Sequence, residues 1–153
     1  MEADTLVSCD DFGIFALEDE DPLVKSQALH LFWESSDTKL ISIFIDFAKN
    51  DSLPEVKQAA VSALGRFVLL GEFDEIPENS AKKVQDFLIS EYLTSTNIQT
   101  QQRILESLGY SSSEKVTQFI KLALEKKEKE WQLSALLAIS RSADEKWGKV
   151  VME

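Results

Sequence analysis

The sequence predicts an all-α protein built as a stacked array of helix pairs. A similar block of residues occurs four times in the sequence. It is clearest around Ala28 and Ala60, which lie 32 residues apart, and weaker around Ile104 and Ala135. Within each block the apolar residues follow helical spacing. The 153 residues include only 5 Gly and 3 Pro, a composition typical of a folded, helix-rich domain. A repeat of this length with helical patterning is the signature of a repeat array.

The block forms the second helix of each predicted pair. In the second copy the apolar residues fall on one face of a helix from Pro54 to Leu70, and Gly71 is the predicted stop. The predicted buried stripes are Val24, Ala28, Leu31 and Phe32; Val56, Ala60, Ala63, Leu64, Phe67 and Val68; Thr100, Ile104, Ser107 and Leu108; and Trp131, Ala135, Ala138 and Ile139.

An amphipathic stretch before each block predicts the first helix of the pair. These stretches are Phe12, Phe15 and Ala16; Leu40, Ile43, Phe44, Phe47 and Ala48; Val84, Phe87, Leu88 and Tyr92; and Val116, Phe119, Ile120 and Ala123. The predicted caps are Asp21, Ser36 or Asp37, Asn79 or Ser80, and Ser111 with Glu114. One domain over residues 1–153 therefore holds units 4–34, 36–71, 79–110 and 112–142, with a partial unit over 143–153 that supplies a terminal helix.

The spacing between equivalent residues is longer between the second and third units. Ala60 and Ile104 lie 44 residues apart, and the segment 71–79 contains Gly71, Phe73, Pro77 and several acidic residues. This composition predicts an inserted loop over 71–79. Insertions in repeat proteins commonly lie on the binding face, so Phe73 is a candidate contact residue.

Charge and composition exclude several functional classes. The formal net charge of −11 disfavours binding to nucleic acid and to anionic lipid surfaces. No apolar run is long enough to span a membrane, the first residues do not resemble a secretory leader, and the single cysteine, Cys9, forms no internal disulfide. We therefore expect a cytoplasmic protein.

Residues that could carry catalysis are sparse. His30 is the only histidine and lies next to Ser26 and Glu34 on a helix. A lone histidine is more often a surface or packing residue than a general base, which also needs an orienting partner. The acidic run 18–21 lacks the turning glycine of a calcium loop. Phosphate-binding, dinucleotide-binding and nucleophile-elbow motifs are missing from the sequence. We expect no enzymatic activity, no cofactor and no metal ion.

The blocks 21–29 and 54–65 resemble HEAT-like repeats of the short-unit class first described in phycobilisome lyases. In that family a D-P-x-V-R/K-x-x-A-x-x-A-L-G block begins the second helix, and Lys25 and Lys57 stand here where arginine is more usual. The third unit keeps only the Leu-Gly pair at 108–109. The resemblance implies a right-handed α-solenoid whose second helices line a concave side. It implies an adaptor or, less commonly, an enzyme-associated module such as a tetrapyrrole lyase.

Three register columns then lie on the expected concave face, off the buried stripe. They are Ser26, Gln58, Gln102 and Leu133; His30, Ser62, Glu106 and Leu137; and Glu34, Arg66, Tyr110 and Arg141. We expect these side chains to be exposed, and arginine and tyrosine are enriched where interfaces gain most of their energy. The candidate residues for a protein partner are Arg66, Glu106, Tyr110, Arg141, Leu133, Leu137 and Phe73. The expected function is a non-catalytic protein-binding scaffold, with a tetrapyrrole-lyase-like or other enzyme-associated module as the alternative.

Overall fold

A computed structural model of the chain describes residues 20–31, 36–50 and 53–142, without the side chains of His30 and Leu31. All the regular structure in these ranges is helical. The helices are α1 Pro22–Leu31, α2 Lys39–Asn50, α3 Pro54–Glu72, α4 Glu78–Thr94, α5 Ile98–Leu108, α6 Glu114–Leu124 and α7 Lys129–Arg141. The predictions for Cys9, Phe12, Phe15, Ala16, Phe32, Glu34 and 143–153 lie outside the described residues.

The helices pack as the predicted pairs, and the pairs join mainly through their second helices. Helix α2 packs on α3, α4 on α5, and α6 on α7. The second helices form one continuous layer, since α1 packs on α3, α3 on α5 and α5 on α7. Contacts between successive first helices are sparse by comparison. We call α1, α3, α5 and α7 the second-helix layer.

The predicted stripes form the hydrophobic core. Every stripe residue of α3, α5 and α7 is buried, including the polar residues Thr100 and Ser107. Burial follows from helical periodicity, because residues three and four apart share the face that meets the neighbouring helices. The rings of Phe44 and Phe67, 6.1 Å apart between centroids, join α2 to α3.

The loop predicted over 71–79 is shorter in the structure, because four of those nine residues are helical. Helix α3 continues through Gly71 to Glu72 and α4 begins at Glu78, so the connection spans only 73–77. The extra residues lengthen these two helices to 19 and 17 residues, compared with 11 in each of α5 and α6. The insertion therefore mainly extends a helix pair, and Phe73 lies in the short connection that remains.

Position 71 requires glycine because α3 and α4 approach each other closely there. A Cβ atom on Gly71 would lie 2.6 Å from the Cβ of Ala81, closer than real side chains pack. The chain instead turns at Asp74, whose φ of 56° lies in the left-handed region that aspartate tolerates. Glycine here permits packing between two helices and does not end one.

The predicted caps agree with the structure at two helices. Asp21 Oδ1 accepts from the amide of Leu23 at 2.9 Å, and Asp37 Oδ1 accepts from the amide of Lys39 at 3.0 Å. The cap of α4 is Pro77 rather than Asn79 or Ser80, because that helix begins earlier than predicted. The predicted Ser111 and Glu114 capping box is also absent, since Ser113 is the N-cap of α6 and its side chain makes no capping bond.

Candidate partner-binding surface

The candidate residues lie on the second-helix layer or at its ends. Their positions are Arg66 on α3, Phe73 just after it, Glu106 on α5, Tyr110 just after that helix, and Leu133, Leu137 and Arg141 on α7. The apolar candidates Phe73, Leu133 and Leu137 are exposed, as predicted. Arg66, Tyr110 and Arg141 are half-buried. These three arginine and tyrosine side chains therefore have both an internal and a solvent-facing part.

Glu106 is buried, so the expectation that its side chain is exposed is wrong. Only 7% of the residue is accessible, and the same correction applies to Gln102. Arg103 Nη1 donates to both carboxylate oxygens of Glu106, at 2.7 and 2.6 Å. Ser134 Oγ on α7 donates to Oε1 at 3.0 Å. A buried carboxylate is stable only when it is paired and hydrogen-bonded, and these partners supply both conditions.

Arg141 and Tyr110 join Glu106 in one cluster between α5 and α7. Arg141 Nη1 donates to the backbone carbonyl of Glu106 at 2.9 Å. Its guanidinium carbon lies 5.2 Å from the centroid of the Tyr110 ring, within cation–π range. The structure thus brings three predicted residues together, but in contacts that hold two helices in place. We call Arg103, Glu106, Tyr110, Ser134 and Arg141 the Glu106 cluster.

Arg66 differs from the other arginines. The chain has three, Arg66, Arg103 and Arg141, and all lie on the second-helix layer. Arg103 and Arg141 belong to the Glu106 cluster. The Nε of Arg66 is buried and makes no hydrogen bond to the described residues. Buried polar atoms without partners are rare in folded proteins and call for an explanation.

A polar groove opens on the same layer between α1, α3 and α5. It has a volume of about 300 Å³, and its lining residues are Ser26, Glu55, Gln58, Ala59, Ser62 and Arg103. Most of its polar side chains can donate hydrogen bonds, and Glu55 is the single carboxylate in the lining. Gln58, Ser62 and Arg66 follow at intervals of four residues along α3, so they share one helix face. Arg66 therefore extends the line of groove residues on α3.

A second groove, rich in aromatic residues, was not predicted. It has a volume of about 540 Å³ and is lined by Tyr92, Leu93, Gln101, Phe119, Leu122, Glu125, Lys126 and Trp131. The Tyr92 ring lies 4.6 Å from that of Phe119 and 6.3 Å from that of Trp131, measured between centroids. Lys126 Nζ sits 4.7 Å from the Trp131 centroid. Burial raises the pKa of Tyr92 above its usual value of 10.0.

Sequence patterning identified Tyr92, Phe119 and Trp131 as core residues and missed the groove between them. The groove exists because α4 and α6 pack sparsely on each other, and no local pattern reports that gap. The available signal was a pair of leucines off the predicted stripes, Leu93 and Leu122, which are both exposed in the structure.

Among residues 20–31, 36–50 and 53–142, acidic, histidine and cysteine side chains form no group of three or more that could hold a metal ion. No helix within those ranges has the length and apolar character needed to cross a membrane. No protein-family model, curated protein or solved structure matches the chain.

Proposed function

We propose that the chain is a non-catalytic scaffold that binds a protein partner on the second-helix layer. The observation that carries this proposal is the asymmetry of the packing. Successive second helices are closely packed, whereas successive first helices are not. A row of helix pairs with this asymmetry curves toward its closely packed side, as in an α-solenoid, and such concave faces are extended binding surfaces.

The resemblance to HEAT-like repeats supports the same proposal. It adds a right-handed superhelix and an adaptor role to the proposed architecture. The net charge of −11 favours a protein partner over nucleic acid or an anionic membrane.

The surface proposed for the partner combines apolar and polar contacts. Leu133 and Leu137 offer exposed apolar side chains on α7, and the polar groove lies on α1, α3 and α5. Interfaces commonly join an apolar centre to a polar rim. Glu106 and Arg141 contribute indirectly, because they set the position of α7 relative to α5.

The test compares two exposed leucines on different layers. Leu133 lies on α7, in the second-helix layer, and is 63% exposed. Leu122 lies on α6, the first helix of the same pair, and is 59% exposed. Affinity capture from a lysate of the source organism, followed by mass spectrometry, is expected to recover a partner with the wild-type chain and with Leu122→Glu, but not with Leu133→Glu. Both variants should keep the wild-type far-UV circular dichroism. A partner lost equally with both variants, or with neither, contradicts the assignment to the second-helix layer.

The aromatic groove favours one second candidate, a module that holds a flat conjugated ligand such as a tetrapyrrole. Tyr92, Phe119 and Trp131 line the groove, although Phe119 and Trp131 keep only 8% and 6% of their surface accessible. The groove volume of about 540 Å³ is in the range of small-molecule sites. Addition of a bilin or haem should then shift the ligand absorbance and quench tryptophan fluorescence, and Trp131→Leu should remove most of the quenching. An unchanged spectrum rejects this candidate.

A further inference from the structure

We infer, on the basis of the proposed protein-binding function, that the partner segment is acidic and that one of its carboxylates binds Arg66. The polar groove beside Arg66 would receive the rest of the segment in an extended conformation. Three features of the second-helix layer carry this inference: the Nε of Arg66 without an acceptor among the described residues, the contrast with the other arginines, and the donors that line the groove.

The first feature is the Nε atom of Arg66. A guanidinium has five N–H donors in a planar fork, and it cannot lose its charge in a protein. In Arg66 the Nε–H is buried, yet the described residues provide no acceptor for it. Since Nε has almost no accessible surface but the residue is only half-buried, a carboxylate pairs with Nε and a terminal nitrogen together once the guanidinium turns outward. That contact satisfies the donor and neutralises the charge.

The second feature is that the other two arginines have hydrogen-bond acceptors within the protein. Arg103 binds the carboxylate of Glu106, and Arg141 donates to the carbonyl of the same residue while it covers Tyr110. Both side chains are engaged by the protein itself. Among the three arginines, only Arg66 has a buried donor without an acceptor in the described part of the chain.

The third feature is the lining of the groove. Ser26, Gln58 and Ser62 can donate hydrogen bonds to the carbonyl and carboxylate oxygens of a peptide, as can the Arg103 nitrogens other than the Nη1 that binds Glu106. Glu55 lies at the start of α3, so the carboxylate of the lining is more than two helical turns from Arg66 along the sequence. The end of the groove nearest Arg66 therefore suits a negative group.

The overall charge narrows the class of ligand further. A polyanion such as DNA is repelled by a chain with a net charge of −11. A peptide with one or two carboxylates experiences much weaker repulsion and gains its affinity from short-range contacts. The net charge therefore disfavours nucleic acid, and it opposes a short acidic segment much less.

The small number of arginines allows a direct test by NMR. With three arginines, the Nε–H region of a ¹⁵N spectrum contains three signals, each assignable from a single Arg→Lys variant. The probe is a glycine octapeptide that contains two glutamates, and its control replaces both glutamates with glutamine. The glutamate peptide is expected to shift the Arg66 Nε signal saturably at millimolar concentrations. The glutamine peptide should leave it unchanged.

Variants then separate charge from hydrogen-bond geometry. Arg66→Gln should weaken binding of the glutamate peptide by at least about tenfold, since a charge-assisted, two-pronged contact is lost. Arg66→Lys should weaken it less, because the charge remains without the fork. The matched control is Lys57→Gln, which removes one positive charge from α3 at a residue outside the groove lining and should have little effect. A thermal melt of each variant confirms that the fold is unchanged.

The possible outcomes distinguish failure of the acidic-segment inference from failure of the proposed scaffold function. Equal binding of the glutamate and glutamine peptides, no shift at Arg66, or an equal effect of Lys57→Gln and Arg66→Gln overturns the inference. A captured partner that depends on Leu133 but not on Arg66 leaves the scaffold function in place and rejects the acidic segment. A captured partner that depends on neither residue rejects the second-helix layer as the binding face.

Discussion

Single side chains on the second-helix layer differ in what they contribute, although they share a register column. Arg141 donates to the Glu106 carbonyl and stacks on Tyr110, whereas Arg66 has a buried donor with no partner among the described residues. Replacing Arg141 therefore disturbs the contact between α5 and α7 as well as any contact with a partner. Arg66 is the better residue for testing binding, because its Nε has no acceptor to lose among the described residues.

We expect Glu106→Ala to lower the free energy of unfolding by about 1–3 kcal/mol, since Ser134 loses its buried acceptor and Arg103 its counter-ion. Arg103 is partly exposed and can turn to solvent, which limits the loss. Urea denaturation monitored by circular dichroism measures the change. Asp86→Ala, which breaks the exposed Lys82–Asp86 pair, is the control and should have no measurable effect. Similar losses in both variants contradict the structural role of Glu106.

Burial of Tyr92 has a pH-dependent consequence. Its pKa is raised in the folded protein, because desolvation disfavours the phenolate. Below about pH 10 the Tyr92 phenol is neutral in both the folded and the unfolded chain, so it does not change the free energy of unfolding. Above that pH the phenol ionises first in the unfolded chain. The free energy of unfolding therefore falls as pH rises toward the pKa of the folded state. A difference titration at 295 nm between the wild type and Tyr92→Phe isolates this group, since Tyr110 is the only other tyrosine. A midpoint at or below 10 would contradict burial of the ring.

At the scale of helices, the Leu-Gly pairs of the repeat block set how closely the second helices approach. A Cβ on Gly65 would lie 3.2 Å from the side chain of Ser107, whereas one on Gly109 would lie 2.6 Å from backbone atoms of Ala138. Ser107 Oγ also donates to the carbonyl of Val61 at 3.0 Å, which joins α5 to α3. The two glycines therefore mark the crossings of α3 with α5 and of α5 with α7.

Gly109→Ala and Gly65→Ala should consequently differ. Gly109→Ala forces the backbone of α7 away and should cost about 1–3 kcal/mol of unfolding free energy. Gly65→Ala meets a side chain that can shift, and alanine is favoured over glycine inside a helix by about 0.5–1 kcal/mol, so its net effect should be small. Thermal and urea unfolding of both variants provide the comparison. If Gly65→Ala is the more damaging variant, the assigned crossings are wrong.

At the scale of the whole molecule, residues at the same register position differ in burial according to the place of their unit in the repeat array. Leu29, Val61, Leu105 and Leu136 share one register position. The first three are buried, but Leu136 on the last described helix is 44% exposed. In a repeat array each unit covers its predecessor, so a residue's burial depends on whether another unit follows it.

Truncating this column tests that dependence. Leu105→Ala should lower the free energy of unfolding by about 2–5 kcal/mol, because it empties a site that neighbouring helices enclose. Leu136→Ala should cost less than about 1 kcal/mol, since much of its surface already contacts solvent. Urea midpoints of the two variants measure the difference. Equal losses would show that α7 is covered as fully as α5.

Helix positions and buried faces could be predicted from the sequence because both are local properties. The stripes of α3, α5 and α7 follow from the helical period alone, and Asp21 and Asp37 cap helices through contacts only two residues away. The lengths of α3 and α4 could not be predicted in the same way. From the sequence, Gly71 is expected to end α3. In the structure it lies within the helix, where the close approach of Ala81 leaves no room for a side chain.

The sequence by itself determined that the chain forms helix pairs and which face of each helix is buried, because the apolar period specifies both without knowledge of the neighbours. Only the tertiary structure decided that Glu106 is enclosed, that Arg66 lacks an acceptor among the described residues, and that α4 and α6 leave an aromatic groove between them. These properties depend on what the adjacent helix presents at the point of contact. Residues at equivalent repeat positions meet different neighbours, so the repeat pattern cannot encode them.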